Sequence, residues 1–149
     1  MGLFRNLFRS RKRESKRERG HGMGAAVSTY MDEVETYSWE WRKARDEIGE
    51  EAASAKYPTR YTTAGIVETL LPMCDNNLSL VQEALGVWQE SRSRRCEAEG
   101  DEDRSTHVTG VFMSVGLNGI GNLFGLIPAS APSFDPDLAA QGRARGWRR

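Results

Sequence analysis

Gly2 is the residue of this 149-residue chain whose type and position most clearly permit a chemical modification. Once Met1 is removed, the Gly2 amine can be acylated by a fatty acid, and the acylation pattern asks for serine or threonine where Asn6 stands. Asn6 is small and polar, so the sequence is a near match. A single myristoyl chain binds a bilayer only marginally and reversibly, so stable attachment needs a second element.

That second element is predicted in the residues that follow, an arm that combines an apolar tip with a basic cluster. Leucine and phenylalanine recur in it at i, i+1, i+4 and i+5, which gives a helix one apolar face. Residues 1–19 carry eight basic and two acidic side chains, a net charge of +6. Each basic side chain near an anionic leaflet contributes about 1 kcal/mol of binding. The predicted membrane-binding residues are Leu3, Phe4, Arg5, Leu7, Phe8, Arg9, Arg11, Lys12, Arg13, Lys16, Arg17 and Arg19.

The formal net charge of zero hides a strong separation of charge along the chain. Residues 20–142 carry a net charge of −10 and residues 143–149 a net charge of +4. A basic arm of this kind can also neutralise nucleic-acid phosphates. The apolar tip has no use in that role and suits a helix lying among lipid headgroups. Anionic lipids are therefore the predicted partner of the arm, with nucleic acid as the less favoured alternative.

Catalytic and metal-binding chemistry have no support in the residue pattern. Cys74 and Cys96 are too few for a disulfide scaffold, and His21 and His107 lie too far away to complete a zinc site, so two unpaired thiols are predicted. The sequence has no glycine-rich phosphate loop after a strand and no nucleophile elbow. We expect a protein without enzymatic activity, cofactor or bound metal.

Residues 27–48 carry the clearest helical pattern, an apolar stripe spaced alternately three and four. The stripe comprises Val27, Tyr30, Val34, Tyr37, Trp41, Ala44 and Ile48. A flexible glycine-rich joint is predicted before it at residues 20–24, and Tyr57-Pro58 is predicted to end it. Its opposite face is predicted to be solvated or to meet a basic partner, and consists of Asp32, Glu33, Glu35, Glu40, Asp46, Glu47, Glu50 and Glu51. Trp41 belongs to the stripe and is predicted to lie in the core, which leaves Trp39 partly exposed. The predicted self-association residues are Val34, Tyr37, Trp39 and Trp41.

Two further helices are predicted in the middle of the chain. One begins near Thr62 or Thr63 and stops at Pro72, and the next is capped by Asn77 and runs into residues 91–95. The arginines at that end complement the helix dipole and need no ligand to explain them. Residues 97–103 are predicted to form an acidic loop.

Residues 108–127 form an uncharged, glycine-rich apolar segment. It has the length of a membrane span, but five glycines lower its apolar content. The favoured interpretation is a helix buried in a small bundle, and the alternatives are a transmembrane helix and a membrane-inserting segment. Asn118-Gly119 is a candidate turn that would split it. The predicted fold is all-α, a bundle of about four helices spanning residues 25–128, with a basic membrane-binding arm at 1–24 and a disordered basic tail at 129–149.

An acylatable Gly2, a basic arm, a small helical body and a proline-bearing tail together resemble the matrix proteins of enveloped viruses, particularly the myristoylated matrix domain of retroviral Gag. The resemblance implies a peripheral protein that binds the cytoplasmic face of host membranes, self-associates there and is found in virions. The arm is also similar to the membrane-binding N-terminus of small paramyxoviral accessory proteins. Two alternatives stay open: a viral or cellular adaptor that binds a host or viral protein through the amphipathic helix, and an RNA-binding protein that uses both basic ends.

Overall fold

The computed structural model describes the backbone of residues 2–121 and, within that range, the side chains of residues 24–121. Its elements are α1 (Gly2–Ile48), α2 (Glu50–Lys56), α3 (Thr63–Met73), α4 (Leu78–Ala98), α5 (Glu102–Phe112) and a π-helical segment (Met113–Ile120). The described part of the chain holds no strand, which confirms the predicted all-α helical bundle. The predicted tail at 129–149 lies outside the described residues.

The first helix differs from the prediction at both ends. Its backbone is helical across residues 20–24, where the sequence predicts a flexible joint, and it ends at Ile48 instead of Tyr57. The end is set by Gly49, whose φ of 90° lies in a region that side chains with a Cβ rarely adopt. The chain then folds back, so that α2 and residues 57–61 lie along α1.

The two middle helices begin where the sequence predicts. The Thr62 hydroxyl accepts a hydrogen bond from the Gly65 amide at 3.1 Å. Asn77 Oδ1 accepts from the amides of Ser79 and Leu80 at 3.0 and 3.3 Å. Each cap satisfies donors that the first helical turn leaves unpaired, which is why the side-chain type fixes the start of the helix.

The apolar segment after Arg104 is a core helix over its described part, as predicted, but it is not split at Asn118. Instead α5 continues directly into the π-helical segment, in which Val115, Gly119 and Ile120 are buried. A Cβ at Gly119 would lie 2.5 Å from Thr63 Cγ2, so glycine is what allows this helix to approach α3. Among the described helices, none combines the length and the apolar character that crossing a bilayer requires. Residues 122–127 lie outside the described range.

The core runs through the bundle between α1, α3, α4, α5 and the π-helical segment. Its side chains are aliphatic apart from Trp88, Met31 and two cysteines, and most are fully buried. The core comprises Val27, Met31, Val34, Ile66, Val67, Leu70, Leu71, Cys74, Leu78, Val81, Leu85, Trp88, Cys96, Val108, Val115 and Ile120. Burial of this apolar surface is the main driving force for folding, and it fixes the helix surfaces that build the groove described next.

Candidate functional site

An open groove with a volume of about 710 Å³ is the most prominent concave feature of the described surface. One wall is α1, the second is α2 with residues 57–61, and the third is α5 with the start of the π-helical segment. A volume of this size is typical of ligand-binding clefts, which are lined mainly by apolar and aromatic side chains. We therefore treat the groove as the candidate functional site.

Aromatic rings hold the wall made by residues 57–61 against α1. The Tyr37 ring packs edge-on against Tyr57 and Tyr61, with centroids 5.7 Å away in both cases. The Tyr37 hydroxyl donates to the carbonyl oxygen of Pro58 at 2.6 Å. Trp41 Nε1 donates to the Ser54 hydroxyl at 3.3 Å. These bonds use the polar atoms of both aromatic side chains and leave their ring surfaces to line the groove.

Two arginines at the groove have no carboxylate within ion-pair distance among the described residues. The Arg60 guanidinium lies over the Tyr61 and Tyr37 rings, 5.5 and 5.8 Å from their centroids. The Arg42 guanidinium lies 5.7 Å from the Trp39 ring centroid. Cation–π contacts of this kind orient a guanidinium and leave its N–H groups available to an anion.

No aspartate or glutamate lines the groove in the described part of the chain. This is unusual for the molecule, since residues 24–121 carry 17 acidic and 9 basic side chains. Three carboxylates, Asp32, Glu33 and Glu40, border a neighbouring, more open depression that shares Tyr37, Arg60 and Tyr61 with the groove. The described lining of the groove itself thus carries two arginines and no acid, in a body that is acidic overall.

His107 forms part of the third wall. Its ring lies 5.3 Å from the Trp39 ring centroid, and its Nε2 is buried with no hydrogen-bond partner among the described residues. Burial lowers the pKa of His107, and the nearby Arg42 and Arg104 lower it further against the opposite effect of Glu35. A neutral imidazole therefore lines the groove at physiological pH.

An ion cluster lies on another side of α1 and corrects the prediction of a solvated acidic face at two positions, Asp32 and Glu35. The other acids of that face are exposed as predicted: Glu33, Glu40, Asp46, Glu47, Glu50 and Glu51. Glu35 is fully buried. Its carboxylate accepts from Arg104 Nε at 3.0 Å, from Arg104 Nη2 at 3.2 Å and from Arg92 Nη2 at 3.1 Å. Asp32 accepts from the buried Trp88 Nε1 at 2.8 Å and lies 3.4 Å from Arg95. The basic partners of these two acids are within the chain.

The same contacts correct the interpretation of the arginines near the end of α4. Arg92 contacts Glu35 of α1, and Arg95 contacts Asp32 of the same helix. These arginines therefore hold α4 against α1, in addition to any interaction with the dipole of α4. The sequence does hold one signal for the burial of Glu35. It continues the i, i+4 row begun by Val27 and Met31, both of which are in the core.

The predicted site residues fall into two groups. Val34, Tyr37 and Trp41 line the groove together, and Trp39 lies beside it against His107. Val34 is only 4% exposed, because most of its side chain packs in the core. Gly2 and all the predicted membrane-binding residues belong to the part of α1 whose side chains lie outside the described range. Cys74 and Cys96 are buried free thiols, as predicted, and burial raises the pKa of both.

Comparison of the chain with protein-family models, with curated proteins and with solved structures found no match in any of the three.

Proposed function

We propose that this protein is a non-enzymatic peripheral membrane protein, matrix-like in organisation, that binds the inner leaflet through an acylated Gly2 and a basic arm. The observation that carries the proposal is the separation of charge between the arm, at +6, and residues 24–121, at −8. An anionic leaflet attracts the arm and repels the body. The protein is thus tethered by one end, with its helical body facing the cytoplasm.

The two parts of the tether act jointly. A single acyl chain gives marginal binding, and basic side chains add about 1 kcal/mol each near an anionic surface. Removing four arm charges therefore weakens binding by about 4 kcal/mol, which is roughly a thousandfold. Because the electrostatic part is screened within about 8 Å at physiological ionic strength, it weakens further as salt is added.

Flotation on liposomes tests the proposal. Full-length protein from eukaryotic cells is mixed with phosphatidylserine-containing vesicles, beside Gly2→Ala and a variant with Arg11, Lys12, Arg13 and Lys16 changed to glutamine. Wild type should float, and both variants should shift to the soluble fraction at 0.15 M salt. If wild type and Gly2→Ala both stay soluble at low salt, the proposal is wrong.

A matched control removes charge from the body instead of the arm. Glu50 and Glu51 are exposed acids in the first turn of α2. Changing both to glutamine removes repulsion from the leaflet, so binding should be unchanged or slightly stronger. Intact-mass measurement of the same wild-type sample would report the acyl group on Gly2 directly.

Self-association beneath the membrane is the second part of the proposal. Aromatic side chains are enriched in protein interfaces, and Trp39, Trp41 and Tyr37 lie together at and beside the groove. Sedimentation of vesicle-free protein against concentration, with Trp39→Ala as the variant, tests this part separately from lipid binding. A monomer at all concentrations, with or without vesicles, would remove it.

The groove also favours a second candidate function, an adaptor that binds a partner protein through α1. Such an adaptor needs the arm only for localisation, so deletion of residues 1–19 should leave capture of the partner intact. Trp41→Ala, which removes a ring from the groove wall, should abolish capture. A matrix-like protein without an adaptor function would lose its associations when the arm is deleted.

A further inference from the structure

The groove makes two chemical demands on an occupant. Its aromatic wall calls for an apolar or aromatic side chain, and Arg42 and Arg60 call for carboxylates or phosphates, since no acid lines the groove in the described part of the chain. The wall also offers the Ser38 hydroxyl, and the O–H of Ser54 whose oxygen accepts from Trp41 Nε1, to a peptide backbone. An extended acidic peptide with one aromatic anchor meets these demands.

One segment outside the described residues has this chemistry. Residues 132–138 read Pro-Ser-Phe-Asp-Pro-Asp-Leu, with Phe134 followed by carboxylates at Asp135 and Asp137. Proline fixes its own φ and favours an extended conformation in the residue before it, so Pro132 and Pro136 reduce the entropy lost when the segment docks. Aromatic-lined grooves bind proline-containing segments in other proteins for the same reason.

The other apolar segments whose side chains are not described fit less well. The arm carries leucines and phenylalanines but also a net charge of +6, which Arg42 and Arg60 would repel. Residues 122–127 are apolar but uncharged, so they leave both arginines unpaired. Charge complementarity therefore selects residues 132–138.

We propose that residues 132–138 dock in the groove of their own molecule, with Phe134 against the aromatic wall and the two aspartates paired with Arg42 and Arg60. Ser114, seven residues before Gly121 on the same helical stretch, lines the groove. Twelve residues lie between Gly121 and Phe134, and the thirteen Cα-to-Cα steps that join them can span up to about 45 Å. A tether this short gives an effective concentration on the order of millimolar, so even a weak contact is populated within one molecule.

The docked segment covers the aromatic wall in the free protein. An acidic, aromatic-bearing segment of another protein has to displace it to reach Trp41. This inference does not rest on the proposed membrane function, because it concerns the body in lipid-free solution.

Indole N–H signals in ¹⁵N NMR spectra of the full-length protein provide the test. The signal of Trp41 is compared between wild type and the variant Phe134→Ala/Asp135→Asn/Asp137→Asn, with the buried Trp88 as an internal reference. We expect the indole signal of Trp41 to differ between the two proteins and that of Trp88 to keep its position. A matched control, Arg143→Gln/Arg145→Gln, changes the chain beyond the segment and should leave the position of the Trp41 signal unchanged.

Addition of a synthetic peptide of residues 130–140 to the triple variant should restore the wild-type Trp41 position at millimolar concentration. The variant Arg60→Glu should lose this response. The proposal is overturned if the Trp41 indole signal has the same position in wild type and the triple variant. It is also overturned if the difference between the two signals disappears when the protein is diluted, because the contact would then be made by a second copy. It is also overturned if deleting residues 1–19 produces the shift instead, because the arm would then be the occupant.

Discussion

Substitution of Glu35 by glutamine tests the most specific energetic consequence of the structure. The Glu35 carboxylate is fully buried and receives three hydrogen bonds, two from Arg104 and one from Arg92. The Glu35→Gln change is nearly isosteric, so packing is preserved. It places a neutral amide, with its own N–H donors, against two guanidinium groups that also donate.

The expected loss is large because two positive charges remain without their buried partner. Removing one member of a buried ion pair costs about 3–5 kcal/mol, against a total stability of about 5–15 kcal/mol for a domain. For a domain of about 100 residues, each kcal/mol corresponds to roughly 4 °C in Tm, so Glu35→Gln should lower Tm by roughly 12–20 °C.

Urea unfolding, followed by far-UV circular dichroism, measures the effect. An equal m-value for wild type and variant would show that both expose the same surface area on unfolding. Glu33→Gln is the matched control, since Glu33 is an exposed acid two residues away on the same helix. A double-mutant cycle with Arg104→Gln should give a coupling of about 1–3 kcal/mol, because the second change removes a charge that the first has left unpaired. If Glu35→Gln destabilises no more than Glu33→Gln, the ion cluster contributes nothing to stability and the reasoning fails.

Two further predictions concern the groove wall and the helix contact behind it. Burial lowers the pKa of His107, so the imidazole is protonated at a higher pH in the unfolded chain than in the folded one. The free energy of unfolding should therefore fall as pH drops below about 6.5. Urea titrations at several pH values should show a weaker pH dependence for His107→Gln and an unchanged one for His21→Gln. Gly119→Ala should lower stability by about 1–3 kcal/mol in thermal unfolding, because its Cβ would meet Thr63 at 2.5 Å. Gly110→Ala, which meets nothing within 4 Å, should instead raise stability by about 0.5–1 kcal/mol; equal effects of the two alanines would contradict the close helix contact.

The features that could be predicted from the sequence are those determined by neighbouring residues. Thr62 and Asn77 cap their helices through bonds that reach only two or three residues along the chain, so residue type and position were enough. The apolar stripe placed Val27 and Val34 in the core for the same reason.

The features that could not be predicted depend on distant partners. Glu35 is bonded to arginines 57 and 69 residues away, and nothing in its own helix shows that they converge on it. The groove depends on Gly49, whose positive φ turns the chain back so that Tyr57 and Tyr61 reach Tyr37. A glycine between two helical patterns does not by itself specify that direction.

The ion cluster and the groove are linked through the rotation of α1 about its axis. Successive residues of an α-helix are turned by about 100° about its axis. Glu35 and Tyr37 therefore point roughly 160° apart, and Asp32 and Trp41 point roughly 180° apart. The contacts of Glu35 with α4 and α5 therefore fix the direction in which Tyr37 and Trp41 face α2. Apolar contacts have no fixed direction, whereas three charge-assisted hydrogen bonds to a buried carboxylate hold the helix in one orientation about its axis. For this reason Glu35→Gln should also broaden or shift the Trp41 indole signal in the folded protein, although Glu35 does not line the groove.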